Sequence, residues 1–259
     1  MNLASYLEAQ RARSAQEVTY RTICLKCFQP RRNCYCAIVK PFYPGIKFAI
    51  LLHKLEARRR IATGRMSHLI LEHSELMTGQ DFSDDKKVNT LLSQPELQPF
   101  VLYPGRNSVN LSAISATERR QLFDPRRTPL LFVVDGTWNT ARKMIRSRNL
   151  AALPRICFSP ERPSNFRVRK QPAPGCVSTI EAVHAAIELL GPSRGFNLEI
   201  GQHHNLLQVF DWLVDTHVEY VKHSHQINSH SRHHRASQVA DVGGVCALDA
   251  AVSAASAAT

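Results

Sequence analysis

The sequence predicts an α/β fold, a mainly parallel sheet with flanking helices, preceded by a short cysteine-rich segment. Two unbroken apolar runs, Ile46–Leu52 and Leu130–Val134, carry the first part of that expectation. They show no polar alternation, which is the pattern of strands covered on both faces. Segments of helical periodicity alternate with such runs along the chain, the order that yields parallel strands joined by crossover helices. Finally, Cys24, Cys27, Cys34 and Cys36 stand as C-x2-C-x6-C-x-C. Four soft ligands gathered by short loops are what tetrahedral zinc requires.

The N-terminal stretch MNLASYLEAQRARSAQ reads as a short amphipathic helix and lacks the basic-then-apolar order of a secretory signal. After the cysteines, Pro41, Pro44 and Gly45 break the chain before the strand Ile46–Leu52. Met66, Leu69 and Ile70 recur at helical spacing and predict a helix over Thr63–Leu76. Phe100–Tyr103 reads as a short strand closed by Pro104-Gly105, and Leu130–Val134 is the clearest strand in the chain. Asp135-Gly-Thr-Trp then turns into a helix reaching about Arg148, followed by a strand over Arg155–Phe158. Ser178-Thr-Ile-Glu181 has the form of a capping box opening the next helix, which Gly191-Pro192 stops. Phe210, Leu213, Val214 and Val218 make one apolar face of a last helix over Leu206–Val221. Beyond it the chain turns His- and Ser-rich, then Ala-rich, and a disordered tail is expected. The expected division is an N-terminal helix and zinc-binding segment over 1–45, one α/β domain over 46–221 and a tail over 222–259.

Of the formal charge of +12, residues 222–259 contribute Lys222, Arg232 and Arg235 against Asp241 and Asp249, so +11 belongs to the body. A clustered positive surface gains affinity for polyanions by releasing their counterions, so a nucleic acid is the expected partner. No window reaches the run of about 18 apolar residues that spans a membrane, and a soluble, cytoplasmic protein without a membrane partner is expected.

Four thiolates would close a zinc site and leave no position for water, so the ion would shape the fold; reduced thiols without metal are the alternative. Cys157, Cys176 and Cys246 lack such spacing, and the tail histidines His223, His225, His230, His233 and His234 read as a solvated polar segment. Asp135 is the main candidate for chemistry. A carboxylate at the C-terminal end of a buried strand, followed by glycine and a helix start, sits where α/β sheets place their ligands. The competing reading makes Asp135 a helix cap and Trp138 a core residue.

The string LLFVVDGTWNTARKM carries D-x-T-W through Asp135, Thr137 and Trp138. Upstream, LLHKLEARRRIATGRM supplies H-x-x-E through His53 and Glu56 and a T-G-R block through Thr63, Gly64 and Arg65, and LYPG follows at Leu102–Gly105. Downstream, SPERPSNFRVRKQPAPGCVSTIEA closes the series. These ordered blocks, with the N-terminal cysteine spacing, resemble the DTW-domain tRNA-uridine aminocarboxypropyltransferase family over about two-thirds of the chain. The resemblance implies a SPOUT-like, knotted sheet, S-adenosylmethionine as donor, structural zinc, and tRNA as the partner that accepts the aminocarboxypropyl group at N3 of a uridine. It implies Asp135 as the catalytic base. The donor pocket would comprise Tyr103, Pro104, Gly105, Gly136, Thr137, Trp138, Val177, Ser178 and Thr179, and the zinc ligands would be Cys24, Cys27, Cys34 and Cys36. Contacts to RNA would fall to Arg58, Arg59, Arg60, Arg65, Arg162, Arg167, Arg169 and Lys170. Trp138 has both a stacking and a structural reading, and Thr137 and Glu181 have capping readings. Two other functions fit the same blocks less fully: a SPOUT-like RNA methyltransferase, and a non-catalytic zinc-containing RNA-binding protein.

Overall fold

Strands that are apolar on both faces need cover on both, and here six parallel strands provide the frame. The structure is a computed structural model that describes residues 22–169, 171 and 175–239, with 223–239 as backbone alone. In chain order the elements are β1 (Lys47–His53), α1 (Lys54–Ala57), α2 (Thr63–Ile70), β2 (Glu75–Gly79), α3 (Lys86–Leu92), β3 (Leu97–Leu102), β4 (Ser108–Asn110), α4 (Ala116–Gln121), β5 (Thr128–Asp135), α5 (Trp138–Met144), α6 (Arg148–Ala151), β6 (Arg155–Cys157), α7 (Thr179–Leu190) and α8 (His204–Val239). The sheet order is β2-β1-β5-β3-β6-β4, so β5 lies between β1 and β3.

Successive side chains on these strands point to opposite faces. Ala49, Leu51, Val101, Leu130 and Phe132 join one core with Phe82, Val88, Met144, Ile145 and Leu150. Phe48, Ile50, Leu131 and Val133 alternate with them and are buried too. Helices α2 and α7 reach β1 and β5 respectively. Asp135, at the end of β5 and opposite Leu52 of β1, follows the alternation of Leu131 and Val133.

Several sequence expectations change in extent. The helix expected over Thr63–Leu76 ends at Ile70, because the chain next to it pairs with Phe42: Phe42 N–H donates to Ile70 O at 3.0 Å and Glu72 N–H to Phe42 O at 2.9 Å. His73 then turns the backbone at φ 58° and β2 begins at Glu75. The helix after Asp135 is broken into α5 and α6. Helix α8 runs through Val239, so the first part of the segment expected to be disordered is helical backbone. Residues 222–239 contain neither proline nor glycine, and extending a helix already nucleated upstream is far easier than starting one. The N-terminal amphipathic helix falls outside the described residues. A first unit ends at Thr216, and a second begins at His217. No helix among the described residues is long and apolar enough to cross a membrane.

Candidate functional site

Parallel strands end together at one edge, and the loops leaving β3, β5 and β6 enclose a cavity of about 460 Å³ there. That volume lies in the range of small-molecule sites. Of the residues expected to bind a donor, Tyr103, Pro104, Gly136, Thr137, Trp138, Val177, Ser178 and Thr179 line it, and Gly105 does not. Gly105 instead faces Arg155 and Ser108. Trp138 is 36% exposed, with its ring centroid 6.3 Å from that of Tyr103.

Asp135 lines the same cavity yet is only 3% exposed. It does not cap α5. The N-cap is Thr137, whose hydroxyl accepts the Thr140 N–H at 3.2 Å. The Asp135 carboxylate turns to α2, where Oδ2 accepts the Gly64 N–H at 2.6 Å. Burial pushes its pKa up to about 6, the nearby Glu56 adds to the rise, and the Gly64 N–H, the Thr179 hydroxyl and the Arg169 cation oppose it. A carboxyl group poised near neutrality can both take and release a proton at ordinary working pH.

The approach of α2 to this carboxylate depends on glycine. A Cβ at residue 64 would stand 2.6 Å from Asp135 Oδ2 and 2.9 Å from Ile50 Cγ2. Its neighbour Arg65 is buried, donating from Nη2 to Ala57 O at 2.6 Å and stacking over the Phe28 ring at 4.5 Å. Glu56 is buried as well, held by Arg169 at 3.3 Å and Arg59 at 3.5 Å. On the far side, Glu181 completes the capping box of α7 and also accepts from Ser164 Oγ at 2.6 Å and the Asn165 N–H at 2.8 Å. One carboxylate thus ties the loop after β6 to the helix start that lines the cavity. Glu181→Gln weakens that tie, and cleavage by a protease within 160–169 is expected to speed up several-fold at unchanged circular dichroism.

The four N-terminal cysteines converge. Cys24 and Cys36 sulfurs are 3.8 Å apart, those of Cys27 and Cys34 3.6 Å, and all four lie within 4.8 Å of one another. Tetrahedral zinc with bonds of about 2.3 Å places its sulfurs about 3.8 Å apart, so the cluster can hold a metal ion. Phe28, at φ 58°, makes the tight turn after the first pair. Backbone N–H groups of Cys27 and Lys26 hold the Cys24 thiol down to about 6, whereas burial pushes those of Cys27 and Cys36 up. Through Phe28 on Arg65, and the Gln29 side chain donating to Arg60 O, this segment braces the loop that leads to Gly64.

A family model described as the DTW domain matches residues 21–218. The chain belongs to the DTW domain family. Similar proteins include tRNA-uridine aminocarboxypropyltransferase 2 of Mus musculus, 26% identical over 66% of this chain and 57% of that one, and that of Drosophila melanogaster, 28% identical over 68% and 70%. tRNA-uridine aminocarboxypropyltransferase A of Arabidopsis thaliana is 24% identical over 78% of this chain and 83% of its own. The chain spans little more than half the mouse relative's length. No solved structure matches.

In this DTW domain the expected RNA-contacting arginines divide. Arg58, Arg59, Arg60, Arg162 and Arg167 are exposed, Arg59 while pairing with Glu56. Arg65 is buried, its guanidinium engaged by the Ala57 carbonyl and the Phe28 ring. Arg167 pairs with Asp215, and Arg169 lines the cavity while pairing with Glu56. Lys170 lies outside the described residues. Glu56 and the Gly64 N–H beside Asp135, and Cys157, Phe158, Ser164 and Phe166 at the cavity, lie beyond the residues expected from the sequence. The H-x-x-E and T-G-R blocks were the signal for the first two.

Proposed function

We propose that this DTW domain transfers the 3-amino-3-carboxypropyl group of S-adenosylmethionine to N3 of a uridine in tRNA, releasing methylthioadenosine. The buried Asp135, poised near neutrality beside a cavity of donor size, is the observation that carries this reading. The names of the relatives supply the reaction class. N3 of uridine holds a proton and is a poor nucleophile until that proton leaves. Asp135 takes it as N3 attacks the terminal carbon of the aminocarboxypropyl chain. The bond from that carbon to the sulfonium breaks, its electron pair returns to sulfur, and the leaving group is the neutral thioether. Selecting this carbon over the methyl is a matter of alignment, which the loops carrying Tyr103-Pro104, Gly136-Thr137-Trp138 and Val177-Ser178-Thr179 would impose.

Arg169 is the only Arg or Lys among the cavity-lining residues described, and it suits the donor's carboxylate better than a phosphate outside. Trp138 and Tyr103 offer aromatic faces to adenine or the sulfonium. In this reading the sheet is SPOUT-like and knotted, 46–221 is the catalytic domain, and the segment before it holds zinc. The ion, held by Cys24, Cys27, Cys34 and Cys36, supplies a structural crosslink. Stripping it with a chelator should lower Tm by roughly 5–10 °C for a domain of this size and reduce activity in parallel. An unchanged Tm after complete metal removal argues against a structural ion.

The exposed arginines of the 58–60 loop are the proposed phosphate contacts. Replacing all three with alanine should weaken tRNA binding and flatten its salt dependence, by about one in log–log slope for each phosphate that is no longer neutralised. Identical binding curves at several salt concentrations would make the loop a bystander. The reaction itself is tested with donor labelled in either its carboxyl or its methyl carbon. Only the carboxyl label should enter tRNA; entry of the methyl label alone would favour a methyltransferase.

A further inference from the structure

Away from the cavity, α7 and the start of α8 bring together three histidines far apart in sequence. His184 and Glu188 stand four residues apart on α7 and share a face of it. His203 and His204 lie where α8 begins. One imidazole nitrogen from each of the three lies within 4.8 Å of the others. Nε2 of His184 and Nδ1 of His204 are 3.5 Å apart. Two nitrogens bound to one tetrahedral zinc at about 2.0–2.1 Å stand about 3.4 Å apart.

Glu188 faces two of these rings. Its Oε2 is 3.4 Å from Nδ1 of His184 and its Oε1 3.8 Å from Nε2 of His203. A carboxylate in those positions draws the ring protons to those two nitrogens, as outer-sphere carboxylates do for metal-bound histidines. The lone pairs then fall on Nε2 of His184 and Nδ1 of His203. The second of these atoms is buried and has no hydrogen-bond partner among the described residues. The His203 side chain is 2% exposed. A buried polar atom left unpaired requires an explanation, and a bound cation provides one.

We propose that His184, His203 and His204 form a second metal site, for a divalent transition ion of zinc's class, with Glu188 as the carboxylate that orients the rings. Three nitrogen ligands leave a fourth position for water. The ion would tie α7, whose first turn lines the cavity, to the start of α8 across the intervening loop. The chemistry differs from that of the four cysteines, and the difference makes the two sites separable.

The test uses the full chain loaded with one equivalent of Zn2+, which the thiolates take, and then titrated with Co2+. Cobalt on thiolates gives strong sulfur-to-metal charge-transfer bands, whereas cobalt on imidazoles gives d–d bands alone. One further equivalent should bind with no charge-transfer band. His204 is exposed, so His204→Gln should leave the metal-free Tm unchanged while abolishing that equivalent. Glu188→Gln should keep the stoichiometry and weaken affinity about 10–100-fold. A control with glutamine at His223, His225, His230, His233 and His234 should bind the equivalent as wild type does. The proposal is overturned if wild type takes up no further ion, if His204→Gln retains it, or if the tail control loses it; the first outcome would leave a plain hydrogen-bonded histidine cluster.

Discussion

Asp135→Asn should reduce kcat for transfer by about 10²–10⁴-fold, the usual contribution of a positioned general base. Donor affinity should change little, since the amide is isosteric and its Oδ1 can still accept the Gly64 N–H. In the wild type kcat/KM should fall about tenfold per pH unit below about 6, where Asp135 becomes protonated. The Asn variant should lose that limb. Stability should move the other way. The folded pKa, about 6, lies above the usual carboxylate value of 3.8, so between those values the native state holds more protons than the unfolded chain. Stability from this group is therefore complete below about pH 4 and lost as pH rises through 6. Above that, keeping the charge buried costs on the order of 3 kcal/mol, which the neutral amide avoids. A higher Tm at pH 7 with activity nearly gone is the expected pair of results, checked by calorimetry and single-turnover kinetics. An Asn variant that keeps wild-type kcat would remove Asp135 from the chemistry.

The second large effect is expected from Gly64→Ala. In an exposed helix this change stabilises by about 1 kcal/mol through helix propensity. Here the new methyl would sit 2.6 Å from Asp135 Oδ2 and 2.9 Å from Ile50 Cγ2, so the carboxylate must swing away and forfeit the Gly64 N–H. Overpacking of this kind costs about 1–3 kcal/mol, and moving a catalytic group by about 1 Å costs roughly 100-fold in rate. Both Tm and kcat should therefore fall. A variant as stable and as active as wild type would show that α2 does not position the carboxylate.

What the sequence revealed and what it hid divide along the range of the interactions. The central strand and the Asp135 turn were legible because an unbroken apolar run ending in Asp-Gly carries its meaning locally. The cysteine cluster was legible for the same reason, since twelve positions separate its outermost members. The hydrogen bond from Gly64 to Asp135 spans 71 positions, and no local pattern encodes it. Arg65 is one of the RNA contacts that the resemblance implies, but a carbonyl and an aromatic ring engage its guanidinium in the interior. Strands β2 and β4 are short and only partly buried, so neither presents the apolar run that marked β1 and β5. The histidine cluster had a visible half in His184-x3-Glu188, but its other half arrives only through the packing of α7 beside the start of α8.

The identity of the transferred group separates an aminocarboxypropyltransferase from a methyltransferase. The most direct measurement is to incubate the purified chain with unmodified tRNA and S-adenosylmethionine, digest the RNA, and weigh both the nucleosides and the spent donor by mass spectrometry. Aminocarboxypropyl-uridine together with an equal amount of methylthioadenosine is the expected result, both reduced at least 100-fold with Asp135→Asn. A methylated nucleoside accompanied by S-adenosylhomocysteine, or tight tRNA binding with neither product from metal-loaded protein, would contradict it.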